Sequence, residues 1–431
     1  MNTNNINENY KQKALIIAVL DEENELNPNY NFEDDIEELK NLCESCDIEV
    51  IETVTQKLKQ INQKTYVGSG KIEEIKMILN SETYLDGFDL VVCNNELSPS
   101  QIENLEKALE ITIFDRTYVI LEIFKSRAKT KEAILQVEIA SLKYTLPRLT
   151  GLRKGLSRQS GGKNKGKGET QLELDRRNIE GRIAYLNNQL KLLTKERKFQ
   201  RENRKKNNFK IASLVGYTNS GKSTTMNNLL EKYNNSKKVF QKDMLFATLE
   251  TATRHIKFDN NLEFLLTDTV GFINKLPHSL IEAFKSTLEE ITEADLILHV
   301  VDASNPNYLN QIETTNKVLE DINASNIPVL YVFNKIDKVK DYFFIPAQFE
   351  NAIRISAKEN INIDELVTKI EENLFASYKT CTFKIPYDKG NLINLLNENA
   401  KILNIKYDQE VIVEAFVSEY LYNYLSEYRI N

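Results

Sequence analysis

The stretch Ile211-Ala-Ser-Leu-Val-Gly-Tyr-Thr-Asn-Ser-Gly-Lys-Ser-Thr224 decides how the chain is read. It begins as a short apolar run, bends at Gly216 and enters a polar helix start at Ser220. The spacing Gly216-x-x-x-x-Gly221-Lys222-Ser223 is that of a phosphate-binding loop. Its glycines let the backbone curl so that the N–H groups of Tyr217, Thr218, Asn219 and Ser220 point inward at phosphate oxygens, with a helix dipole behind them. In that reading Lys222 bridges the β- and γ-phosphates and Ser223 offers its hydroxyl to Mg²⁺. A Gly-bearing turn before a helix fits the same letters, so the downstream sequence has to decide.

Downstream, an expected strand from Leu262 to Leu266 ends at Asp268-Thr269-Val270-Gly271. A carboxylate at a strand end reaches Mg²⁺ through water, and the Gly271 N–H reports the presence of a γ-phosphate. Val329 to Phe333 leads into Asn334-Lys335-Ile336-Asp337. An Asp carboxylate there accepts from both N1–H and the exocyclic amine of guanine, which adenine does not present together. Asn334 would tie this loop to the phosphate loop, and the Lys335 stem would cover the base. Ile353-Arg-Ile-Ser356-Ala357-Lys358 supplies the last loop, with the Ala357 N–H available to guanine O6. Four motifs in this order, each at the carboxyl end of an expected strand, specify a GTP/GDP site. The first switch falls within Leu245 to Arg254, where Thr248, Thr251 and Thr253 are the candidate Mg²⁺ ligands and spacing does not choose among them.

The 431 residues suggest about three domains. No run approaches the ~18 apolar residues that span a bilayer. The Asn-rich start lacks the basic and apolar parts of a signal peptide, so a cytoplasmic protein without stable membrane insertion is expected. Four cysteines make no disulfide framework. Cys43-Glu-Ser-Cys46 reads as two ordinary helix cysteines in preference to a redox or metal pair. The net charge is −7, yet Arg148 to Lys210 holds 19 Lys and Arg against 6 Asp and Glu. A basic block on an acidic protein marks a localised polyanion contact.

The alternation of strand and helix from Ala14 predicts an α/β layer with a parallel sheet over residues 13–115, after a flexible tail at 1–12. Gly68-Ser-Gly-Lys71 lacks the leading glycine of a phosphate loop and reads as a turn and helix start. Residues 116–207 turn helical, with apolar stripes at Leu135, Ile139, Leu142, Leu146 and at Ile179, Ile183, Leu186, Leu190, Leu193. These predict an antiparallel hairpin, the alternative being two separate amphipathic helices. Its tip, about 147–168, is rich in Gly, Lys and Arg without one acid, cannot build a core, and suits insertion into an RNA groove. Residues 208–377 form the nucleotide domain. Residues 378–431 form a small α+β unit, with strands at Thr382–Pro386 and Gln409–Phe416 flanking a helix at Leu392–Leu403. The fold class is therefore α/β: a P-loop GTPase domain preceded by an α/β domain with a long helical hairpin, and followed by a small α+β domain.

Over essentially its whole length the chain resembles the HflX GTPases, ribosome-associated members of the Obg–HflX group. The matching stretches include Phe246-Ala247-Thr248-Leu249-Glu250, Asp268-Thr-Val-Gly-Phe-Ile273 with Leu276-Pro-His278, and Asp115-Arg-Thr117. Others are Gln136-Val-Glu-Ile-Ala140, Leu146-Pro-Arg-Leu149 and Gly168-Glu-Thr-Gln-Leu-Glu-Leu-Asp-Arg-Arg177. The resemblance implies a GTPase that binds the large ribosomal subunit, brings its hairpin tip near the peptidyl-transferase region, and splits stalled or idle ribosomes; a monomer is expected. It also implies Thr248 beside Ser223 as the Mg²⁺ ligands. Glu250 and Thr251 depart from the family's usual Asp and Pro, and the tip is less regular than the usual glycine run. Two alternatives are an assembly GTPase of the large subunit and an RNA-binding protein with structural GTP.

Phe272 follows Gly271 where many GTPases carry a water-orienting Gln, and a phenyl ring cannot hydrogen-bond water. Hydrolysis is expected to be slow alone and completed by a partner. Phe272→Gln is expected to change the basal or the stimulated rate of phosphate release; unchanged rates in both assays would remove any role for this position.

Overall fold

The computed structural model describes residues 11–27, 30–84, 87–149, 165–206, 209–233, 246, 252–258, 260, 262–275, 277, 280, 284 and 288–430. The expected tail lies outside them, except that Gln12 already opens the first strand.

In the first sheet, β1 (Gln12–Asp21), β2 (Ile48–Leu58), β3 (Leu90–Cys93) and β4 (Thr112–Asp115) lie in the order β2-β1-β3-β4, all parallel. Ala14 to Val19 are six consecutive buried residues, as a strand covered on both faces requires. Full burial of each aliphatic side chain there contributes roughly 1.5–3 kcal/mol. After α1 (Glu22–Leu26), α2 (Phe32–Glu44) covers the sheet with Ile36, Leu39, Leu42 and Cys43. Helix α3 (Ser69–Leu79) starts at Gly68, whose N–H donates to Gln56 Oε1 at 2.9 Å. That is the plain turn expected of this Gly-Ser-Gly-Lys. Helix α4 (Pro99–Leu109) is closed by a capping box between Ser98 and Gln101, with Pro at its first position. Burial pushes the Cys43 and Cys46 thiols up to about 12, which disfavours the thiolate that redox or metal chemistry needs.

Helix α5 (Arg116–Arg127) is capped by Asp115, and α6 (Lys131–Thr145) by Thr130. Helix α7 runs from Lys165 to Lys206. Leu135 and Ile139 of α6 meet Leu186 of α7, with Leu142, Ile183, Leu190 and Leu193 packed alongside, and Glu138 pairs with Arg182 at 2.8 Å. Both expected stripes thus face each other. At the root of the hairpin the Arg148 guanidinium lies 3.4 Å from the Tyr144 ring centroid and donates to Leu97 O and to buried Asp115. Most of the tip falls outside the described residues. Lys165–Gly168, read as loop from their glycines, belong instead to the backbone of α7: the helix ladder continues through two glycines at a cost of only about 1 kcal/mol each.

In the second sheet, β5 (Lys210–Val215), β6 (Ala252–Lys257), β7 (Glu263–Asp268), β8 (Leu296–Asp302), β9 (Val329–Asn334) and β10 (Ala352–Arg354) take the order β10-β9-β8-β5-β7-β6. Only β6 is antiparallel to its neighbour. Helices α8 (Lys222–Lys232), α9 (Tyr308–Asp321) and α10 (Ile363–Leu374) complete this layer. β5, with β7 on one side and β8 on the other, brings its carboxyl end to the crevice where ligands of such sheets bind.

The C-terminal unit contains β11 (Lys379–Ile385), α11 (Gly390–Asn399), β12 (Lys401–Tyr407), β13 (Val411–Val417) and α12 (Glu419–Tyr424), with sheet order β11-β13-β12. The helix expected to reach Leu403 stops at Asn399. Lys401–Tyr407 is a strand paired antiparallel to β13; a register shift between Ile402 and Asn404 lets Ile402 and Ile405, three residues apart, pack on the same core as Val411 and Val413.

The chain divides into two compact units. One holds the residues up to Phe199 with Asp243–Glu250 and Phe272–Ser286, and the other holds the remainder. Among the described residues no helix is long and apolar enough to cross a membrane.

Candidate functional site

The phosphate loop leaves β5 at Gly216, whose φ of 144° lies in the region that only glycine enters freely. A Cβ there would sit 2.2 Å from the Val300 carbonyl oxygen. Gly221, at φ 96°, begins α8, and a Cβ on it would sit 2.1 Å from Asn334 Nδ2. Asn219 also takes a left-handed φ, 57°. The loop is therefore shaped by backbone, as a cradle of inward N–H groups demands.

Two side chains within it are bonded inside the protein. Lys222 Nζ donates to Gly216 O at 3.0 Å and Tyr217 O at 2.7 Å. Ser223 Oγ donates to Asp268 Oδ2 at 2.6 Å. Burial pushes the Lys222 ammonium down to about 8; nearby Asp268 opposes the shift and Lys335 adds to it. The hydroxyls of Ser220 and Thr218 are buried without a hydrogen-bond partner, polar atoms aimed into a loop that phosphate oxygens would complete.

Asp268-Thr-Val-Gly271 closes one flank. Thr269 Oγ1 donates to Leu214 O at 2.6 Å, pinning the turn to β5, and Val270 is buried. A Cβ on Gly271 would lie 2.9 Å from Thr218 Cα and 3.0 Å from Lys222 Nζ, so this backbone stands directly over the phosphate-loop lysine. Phe272 is only 1% exposed, a core side chain with no polar group to offer.

The other flank is organised by Asn334. Its Nδ2 donates to Ser220 O at 2.9 Å, and its Oδ1 accepts from the Ala357 N–H at 2.9 Å. The first bond is the tie expected between the loops. The second departs from expectation: the Ala357 N–H, read as a donor to guanine O6, here serves Asn334. Lys335, at φ 63°, pairs with Asp302 Oδ2 at 2.8 Å, which fixes its stem beside the Asn334–Asp337 turn. Ile336 opens a short 3₁₀ turn, and Asp337 accepts from the Ser356 hydroxyl. Lys358 is exposed and beside Glu359.

In the first-switch stretch, Ala247, Thr248, Leu249, Glu250 and Thr251 lie outside the described residues. Thr253 lies in β6 with its hydroxyl 3.1 Å from that of Thr267, a strand pair in place of a metal ligand.

Three contributors escaped the sequence reading. Asn228 of α8 donates to the Ala357 carbonyl, and Asp302 receives Lys335. Asp302 could have been found, since it ends a buried strand just as Asp268 does. His299 lies buried in β8, where burial, reinforced by Lys222, pushes its imidazole down to about 3 and keeps it neutral.

Three family models match the chain in succession. They are described as GTP-binding GTPase N-terminal over residues 33–125, GTP-binding GTPase Middle Region over 127–204, and 50S ribosome-binding GTPase over 211–335. Among curated relatives, the GTPase HflX of Caldanaerobacter subterraneus subsp. tengcongensis is 43% identical over 403 residues, covering 93% of this chain and 90% of that protein. The GTPase HflX of Alkalihalophilus pseudofirmus is 42% identical over 389 residues, covering 90% and 89%. That of Escherichia coli K12 is 39% identical over 364 residues, covering 83% of each.

The depressed ammonium of Lys222 has a measurable consequence. A bound triphosphate favours the charged form, so GTP binding is expected to take up a substantial fraction of a proton at pH 8.5 and far less at pH 7. Calorimetric titration in buffers of different ionisation enthalpy reads this directly. Buffer-independent heats at pH 8.5 would show that Lys222 stays charged without nucleotide.

Proposed function

The chain belongs to the HflX family of GTPases, and from that premise we propose that it binds the large ribosomal subunit and splits stalled or idle ribosomes under the control of its nucleotide. Binding of GTP and its hydrolysis to GDP and phosphate are the activity of the family. The observation that carries the ribosomal reading is the basic block from Arg148 to Lys210, which begins after α6 and takes in the whole of α7. Cations on a rigid helical arm, beside a Gly-rich tip that permits close backbone approach, suit contact with ribosomal RNA phosphates. The 50S ribosome-binding description of the model over residues 211–335 supports the same partner.

The roles within the site follow from its chemistry. Lys222 exchanges its two carbonyl partners for β- and γ-phosphate oxygens. Ser220 and Thr218 lie in the same loop, with Gly216 and Gly221 leaving room for the phosphates. Asp337 reads the guanine edge, with Asn334 holding the phosphate loop and the Ser356–Lys358 loop together. Ser223 and Thr248 are assigned to Mg²⁺, whose charge would stabilise the negative charge that builds on the phosphates; Asp268, bonded to Ser223, is close enough to orient its water shell. The Gly271 N–H senses the γ-phosphate. Phe272 orients no water, so hydrolysis is slow until the large subunit completes the site. The protein works as a cytoplasmic monomer.

Light scattering from assembled ribosomes tests this reading. Addition of the protein with GTP is expected to lower the scattering as subunits separate, and isolated large subunits are expected to accelerate GTP hydrolysis. Stimulated hydrolysis with intact scattering would replace splitting by an assembly role. Absence of stimulation would leave GTP structural. Binding to large subunits should weaken steeply between 50 and 200 mM salt, by about 10³-fold if some six phosphates are contacted.

A further inference from the structure

The segment that begins directly after Gly271 groups with the N-terminal residues. Phe272–Ser286 is part of the first compact unit, and within that unit Lys275 enters a buried cluster of charges. Its Nζ donates to Asp35 Oδ2 at 2.6 Å. The same oxygen accepts from Asn94 Nδ2 and the Tyr30 hydroxyl, both at 2.7 Å. Arg116, at the first turn of α5, donates to Asp35 Oδ1 at 3.2 Å, to Asn94 Oδ1 at 2.9 Å and to Glu38. Asp35 is 2% exposed and Arg116 1%.

The count of charges is informative. Asp35 and Glu38 face Arg116 and Lys275, with Asp21 near enough to act on Lys275, so Lys275 supplies one of the two cations set against these carboxylates. Withdrawing it would leave the buried Asp35 carboxylate with one cation fewer, and breaking a buried ion pair from one side is costly. Two turns further along α5, Phe124 takes the edge of Phe246 at 4.7 Å and of Phe284 at 5.0 Å between ring centroids. One helix thus holds side chains from the first-switch stretch and from the segment after the second.

We propose that Lys275, docked on Asp35 and Arg116, is the positioning residue through which the N-terminal unit reads the nucleotide, with α5 as the element that receives the signal. This rests on Gly271 as the γ-phosphate sensor. Lys275 lies four positions after Gly271, a reach of at most ~14 Å. A change of the Gly271 backbone over Lys222 is either absorbed within that short link or delivered to Lys275. The left-handed φ of Lys275, 55°, is a strained setting for a lysine, held by its buried partners.

Hydrogen exchange of the whole protein with GDP and with a non-hydrolysable GTP analogue tests the inference, after titration has established that both bind. In the wild type, amides of α2 and α5 are expected to differ between the two states by about five-fold or more in rate. Lys275→Met should abolish that difference while the peptide spanning β7 and Gly271 still distinguishes the nucleotides. Lys275→Arg should preserve it. Should Lys275→Met fail to fold, the double variant Lys275→Met/Asp35→Asn removes one charge of each sign and is expected to fold and to lose the difference. An α2 and α5 response that survives in either Met variant, or is absent from the wild type while the Gly271 peptide responds, would overturn the inference. A Gly271 peptide that is blind to nucleotide would instead defeat the sensor reading beneath it.

Discussion

The amide of Asn334 is the interaction on which the nucleotide site depends. One planar group, buried at the end of β9, donates to Ser220 O and accepts from the Ala357 N–H, and so bridges two loops far apart in sequence. Both bonds form only if the phosphate loop passes within contact of the amide, which explains Gly221: a methyl group there would sit 2.1 Å from Asn334 Nδ2. Gly216 answers to the same economy of space against Val300 O. The loop's curvature is thus set from outside, by β8 and β9, as much as by its own glycines.

In the arrangement described, the polar groups of the cradle are largely bonded to one another. Lys222 holds two loop carbonyls, Ser223 holds Asp268, and Ala357 holds Asn334. Entry of a nucleotide is accordingly in part an exchange of hydrogen bonds, in which the proposed contacts of Lys222 and Ser223 replace internal ones. Such exchange favours a ligand that brings strong charge, because charge-assisted bonds to phosphate exceed bonds to a carbonyl. It also explains how a lysine with a depressed ammonium pKa is tolerated at the heart of a polyanion site.

Much of this was legible from residues alone. Ala14–Val19 announces a buried strand by an unbroken apolar run, Leu262–Leu266 and Leu296–Val301 do so with one polar residue each, and the motifs after Val215, Leu266, Phe333 and Ile355 announce guanine-nucleotide chemistry. The stripes of α6 and α7 were equally plain, because helical periodicity is local information. What stayed hidden is non-local. Lys401–Leu403 reads as helix continuation until β13 lies beside it. The Lys335–Asp302 pair and the second bond of Asn334 join residues from different strands. The partnership of Lys275 with Asp35 spans 240 residues and two motifs that no spacing rule connects.

The central claim is that Asp337, presented by the loop that Asn334 anchors, makes this a guanine site. Nucleotide titration of Asp337→Asn tests it most directly. Replacing one acceptor oxygen by an amide donor mismatches the guanine amine and matches the carbonyl that xanthine carries at the same position. The account predicts that the variant loses affinity for GTP by about 100-fold or more and gains affinity for xanthosine triphosphate. Unchanged GTP binding in Asp337→Asn, with no gain for the xanthine nucleotide, would contradict it.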